Sequence, residues 1–304
     1  MNIDRRTFLG IAGMTTASLL LPTGIAVAAP PAASPAKPKG MLVDLSKCIG
    51  CGWCQEACKE WNHLSGPTAG LRSGQAPSCL SAENWTLPEF KEIEKDGEQV
   101  RVFVKRQCMH CVNPACVSAC PVGALQKLET GPVTYDPERC IGCRYCMVAC
   151  PFGIPKFEWD EQLPRICKCT FCADRQGMGL GPACAAACPA GTLTFGDRIE
   201  LINEAEARIH KSPDRYVKHI YGKDEIGGTS WTYLSPVPFE ELGFPTLEKE
   251  PVTRLSNTVA VYGTPSMAVV VGALLGSVYY FFGRQQGKIE VGDAASTLEK
   301  DEES

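Results

Sequence analysis

Sixteen of the eighteen cysteines in this 304-residue chain fall into four groups. They are Cys48, Cys51, Cys54, Cys58; then Cys108, Cys111, Cys116, Cys120; then Cys140, Cys143, Cys146, Cys150; and last Cys169, Cys172, Cys184, Cys188. Proline follows three of the groups, at Pro121, Pro151 and Pro189. The first and third groups read C-x2-C-x2-C-x3-C, the spacing in which three thiolates grip one cubane iron–sulfur cluster and the fourth reaches a neighbouring one. The second and fourth depart from it by lengthening the middle gap, Cys111 to Cys116 and Cys172 to Cys184. Four such groups imply four 4Fe-4S clusters, and a row of clusters conducts electrons.

Two other uses of cysteine fit less well. Disulfide frameworks belong to small secreted domains that cannot build a core, whereas this chain is 44% apolar. Zinc sites also use C-x2-C pairs, but zinc gives no reason for the third cysteine at Cys54 or Cys146, nor for the recurring x3-C-P. Cys79 and Cys167 stand outside the pattern and read as small buried hydrophobes. His110, inside Cys108-Met-His-Cys111, reads as a hydrogen-bond donor to sulfur or as packing, because sixteen cysteines already saturate four clusters.

In two-cluster ferredoxins the fourth cysteine of each run ligates the other run's cluster. Applied to the neighbouring inner groups, that rule joins Cys108, Cys111, Cys116 with Cys150, and Cys140, Cys143, Cys146 with Cys120. By elimination the outer groups exchange theirs: Cys48, Cys51, Cys54 with Cys188, and Cys169, Cys172, Cys184 with Cys58. The second exchange requires the chain to leave one module, build another and return. The expected architecture is therefore α+β, two interleaved dicluster ferredoxin-like modules with insertions, plus one C-terminal transmembrane helix.

Local signals agree. Met41–Asp44 and Val133–Asp136 are β-prone stretches ahead of the first and third groups, and a strand is expected near Gly191–Phe195. Each fourth cysteine should end a one-turn helix, stopped by proline where one follows. Phe90–Ile93 and Val100–Val104 alternate around Asp96-Gly97, a hairpin signal. Lys59 to Trp85 reads as an irregular insertion. Ile199 to His210 has helical spacing. Tyr216 to Pro245 reads as an extended strap across a partner or across the clusters.

The chain's ends suggest an address. Arg5-Arg6-Thr-Phe-Leu begins a twin-arginine signal, with an apolar stretch to Val27 and an A-x-A site at Ala26-Val27-Ala28. Folded export suits clusters assembled before crossing, since free thiols would otherwise oxidise. Near the other end, Val259 to Phe282 is 24 residues without a charge, enough to span a bilayer. Arg284 and Lys288 follow it, as positive charge does on the cytoplasmic side. The domains expected are thus a signal peptide (1–28), a Pro-rich linker (29–40), a cluster domain (41–200), a helix and strap (201–256), a membrane helix contacting lipid (257–283) and an acidic, unstructured cytoplasmic tail (284–304). Within the cluster domain, outer groups 41–58 and 167–195 enclose inner groups 105–155, with an insertion at 59–104. The net charge of −4, without a basic patch, argues against nucleic acid. No nucleophile elbow, phosphate loop or Rossmann fingerprint is present, so no catalytic residue is assigned.

Together the twin-arginine signal, Cys48-Ile-Gly-Cys51, Arg106-Gln-Cys-Met-His-Cys111, Cys140-Ile-Gly-Cys-Arg-Tyr-Cys146, Lys168-Cys-Thr-Phe-Cys172 and the C-terminal helix resemble the four-cluster ferredoxin-type subunit of respiratory oxidoreductases. Similar members are the HybA-type iron–sulfur subunit of NiFe hydrogenases and the formate dehydrogenase β subunit. The resemblance spans nearly the whole chain and includes Tyr221-Gly-Lys-Asp-Glu-Ile-Gly-Gly-Thr229. It implies the same outer pairing. It also implies a catalytic partner, a NiFe hydrogenase or a molybdopterin formate dehydrogenase, and a multi-span quinone-reactive membrane subunit. The twin-arginine signal favours the hydrogenase type, whereas Cys58-Lys-Glu-Trp-Asn62 and Ser81 to Glu94 look more like formate dehydrogenase. A reading from another class is a structural membrane tether whose clusters serve mainly as folding cross-links.

Overall fold

The computed structural model describes residues 37–66, 79–95, 97–254 and 258–301. The expected signal peptide and most of the expected linker lie outside the described residues, as does Asp96. In chain order the elements are β1 (Lys39–Asp44), α1 (Trp53–Asn62), β2 (Thr86–Lys95), β3 (Glu98–Gln107), α2 (Ala115–Ser118), β4 (Leu125–Lys127), β5 (Val133–Tyr135) and α3 (Tyr145–Ala149). There follow β6 (Lys156–Phe157), β7 (Ile166–Cys167), α4 (Ala173–Gly177), α5 (Ala183–Ala186), β8 (Leu193–Asp197), α6 (Arg198–Lys211), β9 (Trp231–Leu234) and α7 (Thr264–Asp301).

One mixed sheet ties the two ends of the cysteine region together, with strand order β8-β1-β9. β1 pairs antiparallel with β8, Met41 opposite Phe195 and Val43 opposite Leu193. It pairs parallel with β9, Met41 opposite Trp231 and Val43 opposite Tyr233. Because strand side chains alternate, Met41 and Val43 join the core that holds Phe171, Trp231 and Tyr233, while Leu42 joins Leu201, Ala205 and Ile220 under α6. A central strand covered on both faces reads as a continuous apolar run, which is why Met41-Leu-Val43 carries no polar residue. The strand starts at Lys39, two residues inside the expected linker.

The expected hairpin is present: β2 and β3 pair antiparallel from Thr86–Gln107 to Lys95–Glu98, and Gly97 takes φ 83° in the two-residue connection. Ile93, Val102 and Val104 face the core. Residues 67–78 of the expected insertion lie outside the described residues, and its described ends are less irregular than expected. Lys59–Asn62 completes α1, and Gln55 Nε2 donates to Asn84 Oδ1 (3.1 Å) to fasten the far end. The short helices α2, α3 and α5 stop just before Cys120, at Cys150 and just before Cys188. No proline follows Cys58, and α1 accordingly runs on to a left-handed cap at His63 (φ 53°).

Of its two expected courses, the strap takes the one across the cysteine loops. Trp231 N donates to Met109 O, Ser230 N to His110 O and Val112 N to Gly228 O, and Trp231 and Tyr233 are fully buried. The C-terminal segment corrects the reading of its tail. Rather than ending near residue 283, α7 continues to Asp301. The helical stretch Val261–Phe282, which begins in a π-helical turn (Val259–Gly263) ahead of α7, is long and apolar enough to cross a membrane, and none of it is buried within the chain. Ser266 and Ser277 return their hydroxyl protons to the carbonyls of Tyr262 and Ala273, one turn back along the helix.

Candidate iron–sulfur sites

The C-x2-C loop that opens each group has a left-handed residue just before its second cysteine. In the first and third loops that residue is glycine, Gly50 (φ 68°) and Gly142 (φ 69°). In the other two it is His110 (φ 47°) and Phe171 (φ 56°), where a Cβ makes the conformation cost roughly 1–2 kcal/mol each. Those two rings stack on one another with centroids 5.1 Å apart, and Phe171 also packs on Trp231 at 5.4 Å. Burial of both rings offsets the backbone cost. The tight loops aim backbone amides inward: Phe171 N donates to Cys169 Sγ (3.3 Å) and Gly142 N to Cys140 Sγ (3.4 Å).

The structure brings the cysteines together in four sets. Set 1, Cys48, Cys51, Cys54 and Cys188, lines one pocket together with Lys105 and Leu193. Set 3, Cys120, Cys140, Cys143 and Cys146, lines another with Leu125 and Ile166. In set 2 the Cys111 thiol is surrounded by Cys108, Cys150 and Cys116. In set 4 Cys58 faces Cys184 and Cys172, and Cys169 faces Cys58 and Cys184. Among the described residues no three Cys, His, Asp or Glu side chains converge on the point a single ion would occupy. Four thiols spread around a pocket suit a cube of iron and sulfide and do not suit lone zinc.

The electrostatics carry the same requirement. Burial pushes the thiols of Cys54, Cys58 and Cys116 up to about 12, and neighbouring sulfurs push further in the same direction. Such thiols ionise only against a strong local cation, and a coordinated iron core is one. Cys120 is the exception. Burial works against its thiolate, but the backbone amides of Leu125, Val122, Ala124 and Gly123 hold its pKa below the ordinary thiol value; Ala124 N reaches Sγ at 3.2 Å. The residues present therefore fit 4Fe-4S clusters.

His110 is fully buried and its Nδ1 accepts the amide of Val133 (2.8 Å), which leaves the ring proton on Nε2. Burial, then Lys168, holds this imidazole well below its usual pKa, so it is neutral. Cys167 is buried, its Sγ 3.4 Å from Glu158 Oε1, and belongs to no set. Cys79 corrects the sequence reading, because it is exposed.

Three buried or half-buried lysines were not singled out from the sequence. Lys105 Nζ donates to Thr86 Oγ1 (2.6 Å) and Gln107 Oε1 (2.9 Å). Lys168 Nζ donates to the carbonyls of Val133 and Cys169. Lys127 Nζ donates to the carbonyls of His110 and Gly131, and burial lowers its pKa to about 8. Their signal was adjacency: Lys105 lies three residues before Cys108, and Lys168 directly precedes Cys169.

Residues 99–198 match the family model of the 4Fe-4S dicluster domain, and residues 41–60 match that of the 4Fe-4S binding domain. A protein of Nitratidesulfovibrio vulgaris is 39% identical over 98% of this chain and 82% of its own length. The iron–sulfur subunit of the nitrate-inducible formate dehydrogenase of Escherichia coli K12 is 35% identical over 80% of this chain and 84% of its own. The hydrogenase-2 operon protein HybA of Escherichia coli O157:H7 is 36% identical over 69% and 73%. The first cysteine group lies within the shorter family match and the other three within the longer, and the alignments to the relatives reach well beyond them, so the chain belongs to the ferredoxin-type iron–sulfur subunit family that includes the HybA and formate dehydrogenase subunits, and it is a 4Fe-4S electron-transfer protein.

Proposed function

We propose that this chain is the electron-transfer subunit of a membrane-bound respiratory complex, carrying four 4Fe-4S clusters between a catalytic subunit and a quinone-reactive membrane subunit. The observation that carries the reading is the convergence of sixteen cysteines into four separate sets, each of which would ligate one cluster. An inner module (105–155) is nested between the outer groups (41–58 and 167–195), and the β1–β8 pairing supports the return of the chain that this nesting needs. The clusters, when bound, supply one-electron storage. The protein's part is to hold the thiolates, keep water away and set the surrounding charge.

Neighbour relations support an order along the wire. Cys54 of set 1 faces Cys184 of set 4, Cys169 of set 4 faces Cys108 of set 2, and Cys116 of set 2 faces Cys146 of set 3. Electrons would pass in the order 1–4–2–3 or its reverse. Apolar side chains are exposed at both terminal sets: Ile49 and Trp53 beside set 1, and Ile141, Tyr145 and Val148 beside set 3. Uncovered apolar surface at each end suits two different protein partners. Relatives of both enzyme types align at similar identity, so the catalytic partner is a hydrogenase or a formate dehydrogenase.

The exposed apolar stretch Val261–Phe282, followed by Arg284 and Lys288, supports a single membrane span with its C-terminus in the cytoplasm. The twin-arginine motif supports a cluster domain on the periplasmic face. Iron and acid-labile sulfide analysis of the purified protein tests the core of the reading. About sixteen irons per chain are expected; about eight, or mainly zinc, would refute it.

A further inference from the structure

Lys105 is 2% exposed, and the acceptors of its ammonium among the described residues, Thr86 and Gln107, are both neutral. A buried ammonium without a counter-ion is costly by several kcal/mol. Its position is nevertheless tightly held. Thr86 and Gln107 accept two of its protons, and Nζ stands 4.4 Å from the Trp231 ring centroid, a cation–π contact. Tyr233 Oη donates to its backbone carbonyl (3.0 Å), fixing the strand beneath it. The anions within its reach are sulfurs, and they come from two sets. Lys105 lines the pocket of Cys48, Cys51, Cys54 and Cys188, and it also acts on Cys58, Cys169 and Cys184 of set 4.

We infer that Lys105 is the shared counter-ion of the clusters at sets 1 and 4, a positioning charge that raises both reduction potentials and eases repulsion when both are reduced. The inference rests on the four-cluster reading above. A thiolate-ligated cluster is anionic and gains negative charge on reduction, so a fixed cation nearby favours the reduced form. Lys127 offers an internal comparison, since its sulfur neighbours are Cys111 and Cys108 of set 2.

The test is an EPR-monitored redox titration of iron-loaded full-length protein, wild type against Lys105→Met, Lys105→Gln, Lys105→Arg and Lys127→Met. The wild-type iron content is measured first, which separates failure of the four-cluster reading from failure of this one. With Lys105→Met or Lys105→Gln, two of the four reduction equilibrium constants should fall about tenfold or more, about 59 mV per tenfold for one electron, and two should hold. Lys127→Met should lower a different one. Lys105→Arg should leave the potentials near wild type. Iron loss in the two neutral variants with full iron in Lys105→Arg would also support a charge requirement. Unchanged potentials at full iron content, an equal shift of all four, or iron loss in the arginine variant as well would overturn it.

Discussion

Gly50 and Gly142 occupy the same place in two Cys-Ile-Gly-Cys loops and share a backbone conformation, yet replacing them by alanine should have unequal effects. The first cost is common: a Cβ at φ near +70° adds roughly 1–2 kcal/mol of strain. The second is not. At Gly142 the nearest atom to a new Cβ is Phe157 Cζ at 3.9 Å, an ordinary contact. At Gly50 the Cβ would lie 2.2 Å from Phe103 Cε1 and 2.3 Å from Cδ1. Restoring a tolerable 3.4 Å contact means moving the ring by 3.4 − 2.2 = 1.2 Å. Phe103 is half-buried and packs edge-on against Phe90, centroids 6.4 Å apart, so it cannot swing freely. Overpacking of this kind costs about 1–3 kcal/mol, and loosening the aromatic pair adds about 0.5–1.5. Gly142→Ala should therefore cost about 1–2 kcal/mol and Gly50→Ala about 2.5–6.5. The assay is the temperature at which iron-loaded protein loses its visible cluster absorption, with iron per chain measured beforehand. Gly50→Ala should bleach well below Gly142→Ala or retain less iron. Equal behaviour, or greater damage from Gly142→Ala, would refute the reasoning.

Two further outcomes are expected. Phe171→Ala removes a fully buried ring and should cost about 3–5 kcal/mol, but Phe171→Gly should be the milder change by about 1 kcal/mol because φ is +56° there; thermal bleaching of both variants against wild type checks the order. The Lys39 hydrogen bond, aided by the charges of Lys39 and Lys37, holds the Asp197 carboxyl below its usual pKa. That contribution is present above the ordinary carboxylate range and fades as pH falls through the lowered value, so Asp197→Asn should lower thermal stability modestly near neutrality, converge with wild type at low pH and so flatten the acid limb. An acid limb identical to wild type would count against it.

Much of the local design was legible in the residues. Cysteine spacing is a statement about neighbours in the chain, and a tight loop of four residues folds in one way whatever surrounds it; this is why the C-x2-C loops, the proline-stopped helices and the Asp96-Gly97 hairpin could be anticipated. The helix of 198–211 announced itself by periodicity for the same reason. The strap could not be located from its sequence, because Trp231 and Tyr233 are ordinary aromatics until β9 pairs with β1 and buries them against Phe171. Cys79 and the length of α1 beyond Cys58 were misread for a related reason: exposure, and the continuation of a helix, depend on what packs nearby.

The sequence by itself determined the chemistry of the chain, since sixteen thiols in cluster-forming spacing admit few cofactors. Tertiary structure alone decided what surrounds those thiols. It put Lys105 between two sets whose members are separated by more than a hundred residues, and it stacked His110 on Phe171 so that two strained loops support one another. Ligand identity is local and covalent, so it is written in the chain. Charge, burial and compensation of strain are sums over everything that folds alongside, and these settle only when the distant segments meet.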